Sequence, residues 1–349
     1  MGFIKKVLKW FVIFFAGLFV LALIINVLGG NKEKDPSPEP VSPSPVLGGT
    51  TEFGSYFAPR NFPASFLNMQ QQEIDEYFAR ALEIGDHTSV LMRWDEQELQ
   101  GLTKQVLDQA KKKGLKVHIH LDPLTGWSHA EAAPPDPLKG RHFSDAEVRQ
   151  AFINETLKIA AWKPDVLGIG TEVNLMLHEK NEQEFSDYVS LSKETYAAVK
   201  KKYPNQTVTL SFAWDVMRMD KQYEILSQFK DSSDIFSFTT YPNILSAPTP
   251  SKLPKNFFGE IRKYLPTQRI AISEIAFYSG AGGSEEIQSQ FYAALPELLK
   301  EVKPEYVTQF GLYDIPSNTG VDERFQTFGL LKADGTQKKA WEVVRALKW

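Results

Sequence analysis

The chain has 349 residues, with 39 Lys or Arg against 43 Asp or Glu, and it contains no cysteine. That lack excludes disulfides, thiolate nucleophiles and cysteine-based zinc sites. Net charge is −4, and because residues 1 to 35 hold five lysines against two acids, the rest of the chain stands at −7, which offers no bulk attraction for nucleic acid or anionic lipid.

The first element is an apolar run. Lys5, Lys6 and Lys9 precede a stretch from Trp10 to Leu28 that has no charged residue. Its length, at about 1.5 Å per residue, matches a hydrocarbon core roughly 30 Å thick. A secretory signal has a shorter apolar core and a small-residue cleavage site, and "LALIINVLGGNKEKD" shows neither. Residues 1 to 28 are therefore expected to form a cytoplasmic tip and an uncleaved transmembrane signal anchor. The lysine bias puts the N-terminus inside, making this a single-pass cell-membrane protein whose bulk lies outside the cytoplasm. Residues 29 to 50, "GGNKEKDPSPEPVSPSPVLGGT", alternate Pro and Ser and favour extended polyproline geometry, which makes them a stalk. Residues 51 to 349 show no second low-complexity break and read as one domain.

Eight β-type runs follow in order: "EFGSYFA" from 52, "TSVLMRW" from 88, "LKVHIHL" from 115, "DVLGIGTE" from 165, "TVTLSFAW" from 207, "DIFSFTTY" from 234, "RIAISEIAF" from 269 and "YVTQFGLYD" from 306. Between them lie amphipathic stretches such as "EFSDYVSLSKETYAAVKKKY", where Phe185, Tyr188 and Val189 recur at helical spacing. Alternating βα units in this number predict an α/β fold, the (β/α)8 TIM barrel. A doubly wound open sheet is the competitor, and no GxGxxG loop after the first strand supports it. The basic "KKKGLK" and "KKKYP" stretches fall at predicted helix ends, where lysines suit the macrodipole, so they make no case for nucleic acid.

Within strands, residues two apart share a face. In the fourth run Gly168, Gly170 and Glu172 share one face and Leu167, Ile169 and Thr171 the other, which sends Glu172 into the barrel mouth. The seventh run repeats the arrangement with Glu274, flanked by Ser273 and Ile275. Strands four and seven lie nearly opposite across the mouth of a closed barrel, so the two carboxylates can face each other over a bound bond. That arrangement suits glycoside hydrolysis, with one acid protonating the leaving oxygen and the other attacking carbon or activating water. The structural alternative is that each glutamate pairs with an arginine such as Arg93.

Tryptophans suit the C–H faces of pyranose rings. Trp94, Trp127 and Trp214 end or follow strands two, three and five, although the parity of Trp214 matches the helix-facing Val208, Leu210 and Phe212. Asp314, after strand eight, either binds a hydroxyl or caps its loop. In "HIHLD", His118, His120 and Asp122 alternate onto one face, which is the pattern of a metal site in some barrels. Such sites draw histidines from later strands, and none of the last four runs contains one, so no metal and no organic cofactor is implied. His120 and Asp122 are instead expected to bind sugar hydroxyls or orient Glu172.

The motifs "LGIGTEVN", "FTTYPN" and "AISEIAFYSGAGGSEEIQSQFYAAL" resemble the clan A glycoside hydrolases, retaining (β/α)8 enzymes, and among them the β-mannanases with a Gly-Thr-Glu strand-four motif. "VHIHLDPLTGW" is also similar to the arabinogalactan endo-β-1,4-galactanases. The resemblance covers residues 51 to 349. It implies that Glu172 is the acid/base, Glu274 the nucleophile, Tyr241 the hydrogen-bond donor to that nucleophile, and Arg93 the strand-two arginine. The clan's frequent Asn-Glu pair is Thr171-Glu172 here, with Asn174 two residues on as a substitute contact. The implied partner is a carbohydrate, and the implied activity is hydrolysis of β-linked poly- or oligosaccharide. The alternative is a non-catalytic, membrane-tethered glycan-binding barrel. The long segments "GWSHAEAAPPDPLKGRHF" and "PNILSAPTPSKLPKNF" are expected to wall the cleft. Oligomeric state has no signature in the sequence.

Overall fold

The computed structural model describes residues 51–60, 62, 69–126, 128–319 and 321–347. The expected anchor and stalk lie outside the described residues, among which no helix is long and apolar enough to cross a membrane.

Eight parallel strands close into a barrel in sequence order. They are β1 (Glu52–Tyr56), β2 (His87–Arg93), β3 (Lys116–Asp122), β4 (Val166–Gly168), β5 (Thr207–Ala213), β6 (Ile235–Thr240), β7 (Arg269–Ile275) and β8 (Tyr306–Gln309). Each lies within its predicted run except β2, which starts one residue before it, and β3, which ends one residue after it. Closure comes from β1 against β8, with Glu52 opposite Tyr306 and Ser55 opposite Gln309.

The outer layer holds α1 (Gln71–Ile84), α2 (Gln100–Lys112), α3 (Ala146–Ala160), α4 (Glu182–Lys202), α5 (Trp214–Asp220), α6 (Glu285–Leu299) and α7 (Lys339–Ala346). Side chains start several of them: Asp145, Asn181 and Ser284 each accept a hydrogen bond from a first-turn amide of α3, α4 and α6. Lys111 and Lys112 end α2 and Lys200 to Lys202 end α4, where they meet the negative end of the helix dipole. The β6 to β7 connection holds only short helical turns, Pro242–Leu245, Pro250–Lys252 and Ile261–Tyr264.

Strand alternation sorts the residues into two environments. Val90, Met92, Ile119, Leu121, Leu167, Leu210, Phe212, Phe236, Phe238, Ile270 and Ile272 point outward into the main core beneath the helices. The barrel interior is largely polar and closed by side-chain hydrogen bonds. Thr209 donates to Ser237 at 3.1 Å, Ser211 and Ser273 share a bond of 3.1 Å, and His87 Nε2 meets Thr308 at 2.9 Å. Only a small apolar plug, Val166, Ile235, Ala271 and Tyr306, fills the lumen toward the strand N-termini. These pairs satisfy groups that burial would otherwise penalise, while His118 Nδ1 and both His120 nitrogens are buried without a partner.

Candidate active site

Strand four explains its glycines. A Cβ at Gly168 would sit 2.7 Å from the His120 ring, and one at Gly170 would sit 2.1 Å from the Tyr188 hydroxyl on α4. The second contact lies on the helix side, so simple alternation fails before Glu172. The shared face expected for Gly168, Gly170 and Glu172 is corrected accordingly. Glu172 instead adopts a left-handed conformation, φ 51°, which costs a non-glycine residue on the order of 1 to 3 kcal/mol. The turn carries its side chain to β6, where the Thr239 hydroxyl donates to Glu172 Oε1.

Glu274 reaches the same place by another device. In the β6/β7 ladder Phe238 pairs with Ile272 but Thr239 pairs with Glu274, so the register skips Ser273. This bulge lets Ile272 and Ile275 both face the outer core while Ser273 bonds Ser211 inside the barrel and Glu274 turns to the mouth. The Tyr241 hydroxyl donates to Glu274 Oε2. Tyr56, at the end of β1, brings a second phenol that falls outside strict hydrogen-bond geometry but lowers the proton affinity of the carboxylate. Thr239 links the pair, with its hydroxyl on Glu172 and its Cα opposite Glu274.

Burial raises the pKa of both carboxyls. That of Glu274 is pushed up to about 8, first by burial and then by the negative charge of Glu172, while the Tyr241 and Tyr56 hydroxyls act downward. Burial also raises Glu172, against the lowering effect of a positively charged His129 and the Thr239 hydrogen bond. The charge of Glu172 disfavours a second charge on Glu274, so the pair favours one ionised and one protonated carboxyl. Because the Tyr241 phenol donates to Glu274, it favours the ionised form there and leaves the proton to Glu172.

The other predicted residues divide. Arg93 forms no pair with either glutamate: it binds Asp95 at 3.1 Å, approaches Glu96 at 3.6 Å and donates to the Gly126 carbonyl at 3.3 Å. Asp122, paired with Arg93 in the ladder, is buried and accepts the Leu124 amide at 3.1 Å. His120 is sealed beneath the mouth, 5.8 Å from the Tyr56 ring, with neither nitrogen bonded, and burial depresses its pKa to about 3, keeping it neutral.

Three expectations of sugar contact do not hold. Trp94 is 1% exposed and packs edge-on to Phe152 of α3, because it follows Met92 in strand parity. Trp214 is 0% exposed and donates its indole N–H to the Phe257 carbonyl at 3.1 Å. Asn174 is likewise enclosed, accepting the Ala213 amide at 2.7 Å and donating to the Ala213 carbonyl at 3.2 Å, so it ties strand four to strand five. Asp314 is held by the buried Lys338 ammonium at 2.6 Å. Trp127 lies outside the described residues.

Sequence reading missed Thr239, Tyr56, His129 and Asp215. Thr239 shares parity with the inward Ser237 and was open to the same argument as Glu172. Asp215 accepts from the Thr240 hydroxyl and the Tyr241 amide, both at 2.8 Å, and so sets the backbone from which Tyr241 reaches Glu274. Its position after Trp214 carried no signal.

His118, His120 and Asp122 do not converge on one point. His118 instead stacks on His87, with ring centroids 4.3 Å apart and planes at 17°. Among the described residues, Glu52, His87 and His118 bring potential metal-ligand atoms within 4.8 Å of one another. The set fits an ion poorly, because imidazole lone pairs lie in the ring planes and two parallel rings do not aim them at one point. The Lys116 ammonium also binds Glu52.

No protein-family model and no curated sequence matches the chain. Its similarity is in three dimensions. A GH5_18 protein from Bifidobacterium longum subsp. longum ATCC 55813, solved with Manb1-4GlcNAc, aligns at TM-score 0.68 and 12% identity over 84% of this chain and 77% of that one. The Ignisphaera aggregans GH53 catalytic domain aligns at TM-score 0.65 and 16% identity, over 89% and 100%. This chain has the fold of clan A glycoside hydrolases. An exo-beta-1,4-mannosidase from Opitutaceae bacterium strain TAV5 aligns at TM-score 0.66 and 13% identity over 85% of this chain and 58% of its own. At these identities the likeness establishes the barrel, and residue roles rest on the geometry above.

Proposed function

We propose that the chain is a retaining glycoside hydrolase, held outside the cytoplasm by its N-terminal anchor, that cleaves β-linked poly- or oligosaccharide. The observation that carries this reading is the pair Glu172 and Glu274, brought from strands four and seven to the same Thr239 and surrounded by different partners.

The chemistry is a double displacement. A Glu274 oxygen attacks the anomeric carbon while the glycosidic C–O bond breaks, and the Glu172 proton passes to the departing oxygen. Glu172, now ionised, takes a proton from water as that water attacks the same carbon. The bond to Glu274 breaks, and both carboxyls return to their starting states. Tyr241 and Tyr56 withdraw charge from the nucleophile, and burial raises the proton affinity of the acid.

β-Mannosides are the preferred substrate class and β-galactans the next. The support is the Gly-Thr-Glu motif together with structural neighbours described as a mannosidase, a complex with Manb1-4GlcNAc and a GH53 domain. The stalk, at about 3.1 Å per residue when extended, would let the barrel reach wall or environmental polysaccharide.

The test is reducing-sugar release by the full chain in detergent on β-mannan, β-galactan, β-glucan and xylan, beside Glu274→Gln. Activity on one polymer that vanishes in the variant is expected. Silence on all four, with glycan binding retained, would replace the enzyme with a glycan-binding barrel. Anchoring is checked separately, by whether alkaline carbonate leaves the chain in the membrane fraction and whether external protease cuts it in intact cells.

A further inference from the structure

We propose that His129 is the positioning residue of the acid/base: its imidazole pins the peptide before Glu172, holding the left-handed turn that aims this carboxyl across the mouth. The inference rests on the glycosidase reading and extends it to a residue on the loop after β3.

The Thr171 carbonyl accepts a hydrogen bond from His129 Nδ1 at 2.8 Å, and since a carbonyl only accepts, Nδ1 carries the proton. On the other side of the ring, Nε2 lies 3.8 Å from Asp122 Oδ2. Asp122 is itself fixed by the Leu124 amide and paired in the ladder with Arg93, so the ring is set from strand three. His129 is 4% exposed, which shields both contacts from competing water.

The backbone makes the pin necessary. Glu172 at φ 51° and His129 at φ 47° both occupy the region that disfavours side chains, so each is held there by its surroundings. The loop bearing His129 is fastened for this purpose. Its own amide bonds the Thr125 carbonyl at 3.0 Å, Asn181 donates to the Ala130 carbonyl at 2.9 Å, and Glu184 accepts the Ala132 and Phe143 amides at 3.2 and 3.1 Å. When protonated, His129 also lowers the proton affinity of Glu172, alongside the Thr239 hydrogen bond and against the charges of Asp122 and Asp215.

In the first displacement a group that acts through the acid matters only where the leaving oxygen needs a proton, and the rates compared are kcat/KM values, which isolate that displacement from the later step in which Glu172 acts as base. The test compares the full chain with His129→Ala and His129→Asn on two probes, mannotetraose and 2,4-dinitrophenyl β-mannobioside, whose phenolate departs unprotonated. His129→Ala is expected to slow mannotetraose cleavage roughly 10- to 100-fold, the scale of a misplaced catalytic group, while dinitrophenolate release stays within about 3-fold. His129→Asn should recover most of the loss, because its side-chain N–H can take the Nδ1 position and asparagine tolerates the left-handed backbone.

Equal losses on both probes, the signature of a merely structural residue or a misfolded variant, would overturn the assignment, as would unchanged rates in His129→Ala. A parent chain that cleaves neither probe, nor any of the four polymers, would overturn the glycosidase reading beneath it.

Discussion

The surroundings of Glu172 and Glu274 differ in kind although the two carboxyls share a mouth, a Thr239 contact and a burial penalty. Glu274 sits on a bulged strand with the Tyr241 phenol donating to it and the Tyr56 phenol beside it, both of which favour its anion. Glu172 sits beyond its strand on a left-handed turn, steadied by a histidine pin on the preceding peptide. One environment stabilises negative charge, and the other fixes the direction of a proton. Two identical side chains acquire different jobs when their partners differ in this way.

The largest expected effect comes from removing the proposed nucleophile. Glu274→Gln should lower kcat on the active polymer by roughly 10⁴-fold or more, with the fold intact by circular dichroism. Activity surviving that change would erase the distinction between the two carboxyls.

Next comes Tyr241→Phe, which removes a hydrogen bond to a charged acceptor worth about 1.5 to 3 kcal/mol, so kcat should fall roughly 10- to 100-fold. Because that bond lowers the proton affinity of Glu274, its loss should also move the acidic limb of the kcat/KM profile to higher pH. A shift of the basic limb instead would reassign Tyr241 to the acid.

The smallest effect is on stability. Burial and the Glu172 charge hold Glu274 at about 8 against its ordinary 4.5, and because the two carboxyls share the site this value describes the proton that the pair retains, so the folded state holds a proton that the unfolded chain releases as pH rises through that interval. Stability tied to this group is therefore fullest below pH 4.5 and is lost as pH rises toward 8. Glu274→Gln, which cannot ionise, should melt higher than the parent, by more at pH 8 than at pH 5. Thermal melts at the two values check the sign.

Much of this was legible in one dimension. Apolar alternation located all eight strands, since an outer face packed under helices must be hydrophobic in every strand. A carboxylate ending such a run stood out because nothing in the core accounts for it, which made Glu172 and Glu274 visible at once. Tyr241 came through resemblance. Trp94 and Trp214 misled because an aromatic at a strand end suits a sugar and a core equally well, and only the face on which it lands distinguishes them. For Trp214 the parity already pointed outward.

His129, Asp215 and Tyr56 mark where sequence reading ended. His129 meets the Thr171 carbonyl, 42 positions away, and Asp215 meets Tyr241, 26 positions away, and no local pattern records a contact of that span. The same holds for the two backbone devices. Period-two alternation carried forward from Gly168 predicts an inward Glu172, and the side chain does reach the mouth, but through a left-handed turn that alternation cannot foresee. Carried forward from Ile272 it sends Glu274 outward and carried back from Ile275 it sends it inward, a conflict that the skipped Ser273 resolves. The barrel, its strand order and the two carboxylates that reach its mouth follow from hydrophobic period and residue chemistry, which are local properties. Only the tertiary structure decided which partners surround each acid, because hydrogen bonds between strand ends depend on register, bulges and loop closure, and these are settled when the whole ring of strands meets.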